Sequence, residues 1–185
     1  MTTHIQYLKR NEIDIVKWDA CIGKNNGLIY GYSWWLDNMS AHWAALVLND
    51  YEAVMPLTWK KKYGFYYLYQ PFFTASLGLF ANAHTISIAD FLQAVPSRFR
   101  FWDFDINETN TLPEPNAVPA LTVHKRLNLL LNLQKNHSDL VSQYSRLTRR
   151  SLEKSHKHNL VIVHNDTPED IIALYRKSYH TAHPR

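Results

Sequence analysis

Glycine, cysteine and long apolar runs are all scarce in this chain of 185 residues, and each scarcity removes a class of function. Only 5 glycines occur, and no two of them form a G-x-G. That excludes a glycine-rich dinucleotide or P-loop cradle, because such loops need glycine for close backbone approach to phosphate. Cys21 is the sole cysteine. It excludes an intrachain disulfide framework and any cysteine-based zinc cage, and it suits a reducing compartment. No stretch reaches the ~18 apolar residues of a membrane span, and Met1–Leu8 has no signal-type apolar run, so a cytoplasmic location is the expectation. A G-x-S-x-G elbow and an H-E-x-x-H zinc motif are missing too.

What is present is aromatic and apolar. Hydrophobic residues make up 46%, with Trp 6 and Tyr 11, enough to fill the core of a chain whose length suits one ordinary domain, or one domain plus part of another. The net charge of +4 conceals a split. Residues 1–120 carry 9 Lys+Arg against 11 Asp+Glu, whereas residues 121–185 carry 11 against 5. Such asymmetry suggests an anionic partner for the C-terminal part, set against the plainer reading of a solvated basic helix face.

The clearest punctuation is Asn107–Ala120, with Pro113, Pro115 and Pro119, which reads as a long connecting loop. Before it the pattern is mixed. Ile5–Leu8 reads as a strand, and Ile13–Ile22 as a helix with Ile13, Val16 and Ala20 on one side. Ser33 is placed to cap a second helix carrying Trp35, Leu36 and Met39. Trp43–Leu48 and Ala53–Leu57 flank Asn49-Asp50 as a hairpin, and both arms are apolar on both faces, so a covered sheet is expected. Pro56 predicts a bulge or strand end. Tyr63–Phe73 reads as a third strand, Ile86–Val95 as a helix, and Phe99–Ile106 as a fourth strand. After the loop, Leu121–Leu133 reads as one long strand. Ser138 then caps a helix of about twenty residues running to His158. Leu160–Val163 reads as a short buried strand. Thr167-Pro168-Glu169-Asp170 starts a last helix with Ile171, Ile172, Tyr175 and Tyr179 on one stripe.

Few residues carry chemistry on their own. The 10 histidines are scattered; His156 and His158 diverge on a helix, and His180 and His183, though at helical ligand spacing, lie near the last residue, so no metal site is expected. Cys21 reads as a small core residue rather than a nucleophile. Asp103 and Asp105 share a strand face roughly 7 Å apart, a spacing that serves acid–base work or merely a solvated strand end. Tyr144–Asn159 is more informative. Leu140, Tyr144 and Leu147 form its packed side, while Arg146, Arg149, Arg150, Lys154 and Lys157 make a basic stripe opposed only by Glu153. Arginine forks match phosphate and carboxylate bidentately, so the stripe suits a phosphorylated ligand or a nucleic-acid backbone. Tyr30, Tyr67 and Gln70 are the candidate groove residues. Alternate tyrosines in the run Tyr63–Phe73 could line such a groove, or could simply fill a core. Gln70, Thr74 and Ser76 follow that strand, where a mixed sheet opens toward ligand.

In order, these pieces resemble a GNAT-type acyltransferase fold, a mixed α/β sheet flanked by helices. They resemble in particular the tandem-GNAT group that includes the FemABX peptidoglycan aminoacyl transferases. Three stretches carry the resemblance: Tyr30-Gly31-Tyr32-Ser33-Trp34-Trp35; Glu52–Leu57 with the aromatic strand to Gln70-Pro71; and Leu127–Leu133 followed by Ser138–Asn159 and Leu160–Val163. The third includes an R-x-x-R-x-x-x-x-K pattern at Arg146, Arg149 (with Arg150) and Lys154. The resemblance implies a GNAT-like domain over 1–135 and, over 136–185, the opening helix–strand–helix of a second, incomplete one. The acyl donor of an intact protein would be acyl-CoA or aminoacyl-tRNA, and no cofactor is expected for this chain, which lacks the R/Q-x-x-G-x-G/A coenzyme loop. Three functions stay open: the N-terminal portion of an acyl- or aminoacyl-transferase; a non-catalytic module whose basic helix docks on RNA or protein; and a stand-alone acetyl-CoA-dependent N-acetyltransferase. Homo-oligomerisation is left open, and no residue is assigned a catalytic role.

Overall fold

The computed structural model describes residues 4–25, 27–81, 86–111, 121–127, 129, 134–158, 160 and 167–182. It divides into two units, Met1–Asn128 and Leu129–Arg185. The first holds β1 (Ile5–Lys9), α1 (Ile15–Lys24), α2 (Ser33–Met39), β2 (Trp43–Leu48), β3 (Ala53–Lys62), β4 (Phe65–Tyr69), β5 (Phe80–Ala81), α3 (Ile88–Gln93) and β6 (Phe99–Asp103). Together the strands form a mixed six-stranded sheet in the order β1-β2-β3-β4-β6, with β5 paired to β3. Neighbours run antiparallel except β4 and β6, which are parallel.

Strand β2 is buried at every residue because helices cover both of its faces. Ala44, Leu46 and Leu48 turn to one side and Trp43, Ala45 and Val47 to the other, as strand alternation requires. Leu46 and Leu48 join Met55, Leu57, Leu68 and Phe99 under Phe91 and Leu92 of α3. Trp43, Ala45 and Val47 join Trp18, Cys21, Ile22, Leu36, Val54 and Phe80 under α1 and α2. Each fully buried large side chain contributes about 1.5–3 kcal/mol, so β2 and its two neighbours anchor the unit. Helix α1 starts where the Asp14 carboxylate accepts from the Val16 and Lys17 N–H groups, both at 3.1 Å.

Several elements differ from expectation for definable reasons. Helix α1 buries Trp18, Cys21 and Ile22, while Val16 and Ala20 face outward; Trp18 sets the register because its indole donates to the Gly31 carbonyl at 2.9 Å. Ser33 does not cap α2 from its own cap position; the Asp19 carboxylate, on α1, accepts both the Ser33 N–H (2.8 Å) and hydroxyl (2.7 Å). Strand β3 passes through Pro56 without ending. Its second edge pairs with β5 only as far as Val54 and with β4 only from Trp59, so Pro56 lies in a gap where a missing N–H costs little. The third strand shortens to Phe65–Tyr69, because Tyr63 and Gly64 form the β3–β4 turn with positive φ. The third helix shrinks to Ile88–Gln93 with Ser87 as its cap, and the fourth strand ends at Asp103, leaving Ile106 in an isolated bridge to Leu77.

In the second unit, α4 (His137–Ser142), α5 (Arg146–Lys157) and α6 (Pro168–Ala182) are separate helices. The single long helix expected from Ser138 is broken at residues 143–145. Asn136 caps α4, not Ser138, and Ser145 caps α5 by accepting the Thr148 N–H at 3.1 Å. The start of α6 is as read: the Thr167 hydroxyl donates to the Asp170 carboxylate at 2.8 Å. Its stripe is exposed rather than packed at Ile171, Ile172 and Tyr175, and Leu147 on α5 is exposed as well. Residues 121–127 belong to no strand, and the rest of the strand expected over Leu121–Leu133 lies largely outside the described residues, as do residues 161–166 and most of the strand expected at Leu160–Val163.

Candidate functional site

The parallel strands β4 and β6 end side by side, at Tyr69 and Asp103, and the segments leaving them are tied together. The Asp105 N–H donates to Gln70 Oε1 at 3.1 Å, and Gln70 Nε2 donates to the Thr74 carbonyl at 2.8 Å. Gln70 is thus engaged inside the chain through both ends of its amide. Thr74 is buried, and its hydroxyl accepts the Trp35 indole N–H at 3.0 Å. Tyr30 stands edge-on to Trp35, with ring centroids 5.4 Å apart. Tyr30 and Gln70 therefore belong to one connected cluster. Its outer surface carries Trp34, Phe72 and Phe73, which are exposed. Large exposed aromatics grouped beside the carboxyl ends of strands are where an open α/β sheet offers a binding surface.

Tyr67 lies apart from that cluster, on the side of the sheet that also carries α1 and α2. Cross-strand register places Lys60, Tyr67 and Phe101 in one row and Lys62 beside Phe65 in the next. Phe65 and Phe101 are exposed, and the Lys60 ammonium sits 4.2 Å from the centre of the Tyr69 ring. Asp103, on the same face, is exposed; Asp105 accepts a salt bridge from Arg126 at 3.2 Å. Arg126 thus engages one of the two acids. Cys21 is buried, and its thiol pKa is raised by burial, the setting of an inert core thiol. Among the described residues, no group of three or more His, Cys, Asp or Glu comes together to hold a metal ion.

On α5 of the second unit, Arg146, Arg149, Arg150, Lys154 and Lys157 are all exposed. Arg149 is partly engaged: its guanidinium donates to the Ser142 carbonyl at 2.6 Å and so caps the last turn of α4. Arg150, Lys154 and Lys157 border a shallow depression of about 480 Å³ beside Leu147 and Glu153. Three cations there face one carboxylate, and among the described residues none of the three enters a salt bridge. That arrangement can hold a phosphate or carboxylate group.

A cleft of the first unit involves none of Tyr30, Tyr67 and Gln70. It measures about 570 Å³ and lies on the same side of the sheet as α3, at the end where β4 and β6 begin. Tyr7, Trp59 and Tyr66 form its walls, and Lys9, Arg10 and Arg98 supply its charge. Arg98 donates to the Tyr7 hydroxyl and lies 4.9 Å from the Tyr7 ring centre, 5.5 Å from Tyr66 and 4.8 Å from Phe99. No spacing rule brings Tyr7 and Arg98 together, since 91 residues separate them. The nearest available signal was the recurrence of tyrosine beside lysine or arginine in the flanking strands. Comparison with protein families, curated proteins and solved structures finds no match.

Proposed function

We propose that this chain is the GNAT-like first half of an acyl- or aminoacyl-transferase, together with the opening elements of a second such half. The observation that carries the reading is the parallel pairing of β4 with β6 at the end of a sheet whose other described strand pairs are antiparallel, joined by a crossover containing β5 and α3. Ligands in open α/β sheets bind outside the carboxyl ends of the strands. The Tyr30–Trp35–Thr74–Gln70 cluster with its exposed aromatics frames that end and serves as the wall for the acceptor. The reaction of the whole protein is attack of an amine nitrogen on the acyl carbon of a thioester or ester. The new C–N bond forms, the C–S or C–O bond breaks, and the amine proton passes to a base. Orientation and backbone donors to the oxyanion carry most of such catalysis. This chain supplies binding surface, with the basic stripe of α5 holding the anionic part of the donor.

Titration with an acyl-CoA and with an aminoacyl-tRNA, followed by fluorescence anisotropy across a salt series, tests this reading. Replacing Arg146 and Arg150 with alanine should weaken donor binding and flatten its salt slope by about one unit per lost phosphate contact. Absence of binding to both donors, or an unchanged slope in the double variant, would overturn it. A second reading, a non-catalytic RNA-docking module, is favoured by the exposure of all five cations along α5. It requires that deacylated tRNA bind as tightly as the aminoacylated form and that acyl-CoA not bind.

A further inference from the structure

The cleft at the start of β4 and β6 combines two features that together specify a ligand. Its floor and walls are aromatic, and its charges are all positive; no carboxylate lines it. Arg10 is already paired, through two bonds of 2.7 and 2.6 Å, with Asp37. Glu12 lies just outside, where its carboxylate accepts the Lys9 backbone N–H at 2.7 Å. Arg98 and Lys9 form no salt bridge among the described residues. An arginine held against three aromatic rings has fewer rotamers to lose, and the N–H groups that Arg98 does not donate to Tyr7 can meet an anion.

A stacking surface lies beside these cations. His42 is exposed and stacks on Trp59, centroid to centroid 4.5 Å and only 20° from parallel. One imidazole face covers the indole, and the other has no ring partner among the described residues. The volume of about 570 Å³ falls in the range of small-ligand clefts. Inorganic anions would satisfy the cations but leave the aromatic walls unused; an uncharged ring would leave the cations unused.

We propose that this cleft binds a small anion, an aromatic or heteroaromatic ring bearing a phosphate or carboxylate, with the ring on the His42–Trp59 stack and the anionic group on Arg98 and Lys9. The site is separate from the carboxyl ends of β4 and β6 and does not depend on the transferase reading. Calorimetric titration of the full chain with AMP, benzoate, adenosine and inorganic phosphate tests it. AMP or benzoate should bind about tenfold more tightly than adenosine and than inorganic phosphate, because each of those lacks one half of the recognition. The stronger of the two anionic rings tells whether phosphate or carboxylate is preferred. Arg98→Met keeps the aliphatic stem over the rings and removes the charge, and it should weaken that ligand about tenfold while leaving adenosine unchanged. Lys9→Met, at the exposed rim, provides the same test should Arg98→Met fail to fold. Equal affinity for AMP and adenosine, tightest binding by inorganic phosphate, or no binding by any of the four at about 1 mM would overturn the assignment.

Discussion

The core leucines of the first unit and the apolar residues of α5 and α6 in the second have opposite fates. In the first, Leu36, Leu46, Leu57 and Leu68 are at most 1% exposed, whereas in the second Leu147, Ile171 and Leu174 are 76%, 61% and 66% exposed. The residue types are alike, so propensity does not explain the difference. Layering does. Strand β2 has helices on both faces, while none of the described residues of α4 or α5 is buried. Helices of this length without a covered face are marginal, and in the second unit they rest on caps such as Asn136, Ser145 and Thr167. A hydrophobic stripe thus predicts where a helix could pack, and burial depends on a partner layer.

Substitution in the core should expose this contrast most strongly. Phe91→Ala should cost about 3–5 kcal/mol, whereas Leu147→Ala should stay within about 0.5 kcal/mol. All 6 tryptophans lie between Trp18 and Trp102, so their fluorescence in urea reports the first unit alone, and far-ultraviolet circular dichroism adds the second. Equal costs would mean that the second unit has a core of comparable weight. Gly31→Ala should come next, at about 1–3 kcal/mol in the same measurement, because a β-carbon there would meet Phe80 Cζ at 2.6 Å and Ile22 Cδ1 at 3.0 Å. A neutral result would show that Phe80 can move aside. Asp19→Ala follows at about 1–2 kcal/mol, since it removes the acceptor of two Ser33 bonds at the start of α2. A loss no larger than that of an exposed substitution would show that water replaces the carboxylate there.

The β2–β3 hairpin was legible because two apolar arms around Asn49-Asp50 admit few other arrangements. Pro56 misled, since its cost depends on which strand edge lies opposite, and that edge is set by β4 and β5 further along the chain. The break between α4 and α5 escaped because Leu140, Tyr144 and Leu147 keep helical spacing across it. Periodicity registers faces, and the Ser145 cap is a local event that leaves the face pattern intact. The outward face of Val16 was misread because the Trp18–Gly31 hydrogen bond, which fixes the register of α1, joins separate elements. The cleft around Arg98 was illegible for the same reason on a larger scale: its cations and rings come from β1, the approach to β2, β3, β4 and the approach to β6.

The smallest effect concerns the ion pair at the rim of that cleft and depends on pH. The Asp37 carboxyl is held below the ordinary carboxylate range, first by the Arg10 N–H bonds and then by the Trp43 indole N–H, with burial opposing both. A carboxyl depressed in the folded state stabilises fully above its unfolded pKa of about 3.9 and loses that contribution as pH falls through the folded value. The side chains of Arg10 and Asp37 remain 38% and 41% exposed, so solvent screening keeps the contribution under about 1 kcal/mol. Asp37→Asn preserves an acceptor for Trp43 while removing the charge. Its urea midpoint should therefore lie slightly below that of the wild type at pH 7, and the two should converge as the pH is lowered below about 4. A gap that persists unchanged into acid would assign the loss to altered packing rather than to the charge, and Arg10 would then count among the cations of the cleft as positioned by Trp43 alone, whose ring centre lies 5.1 Å from its guanidinium.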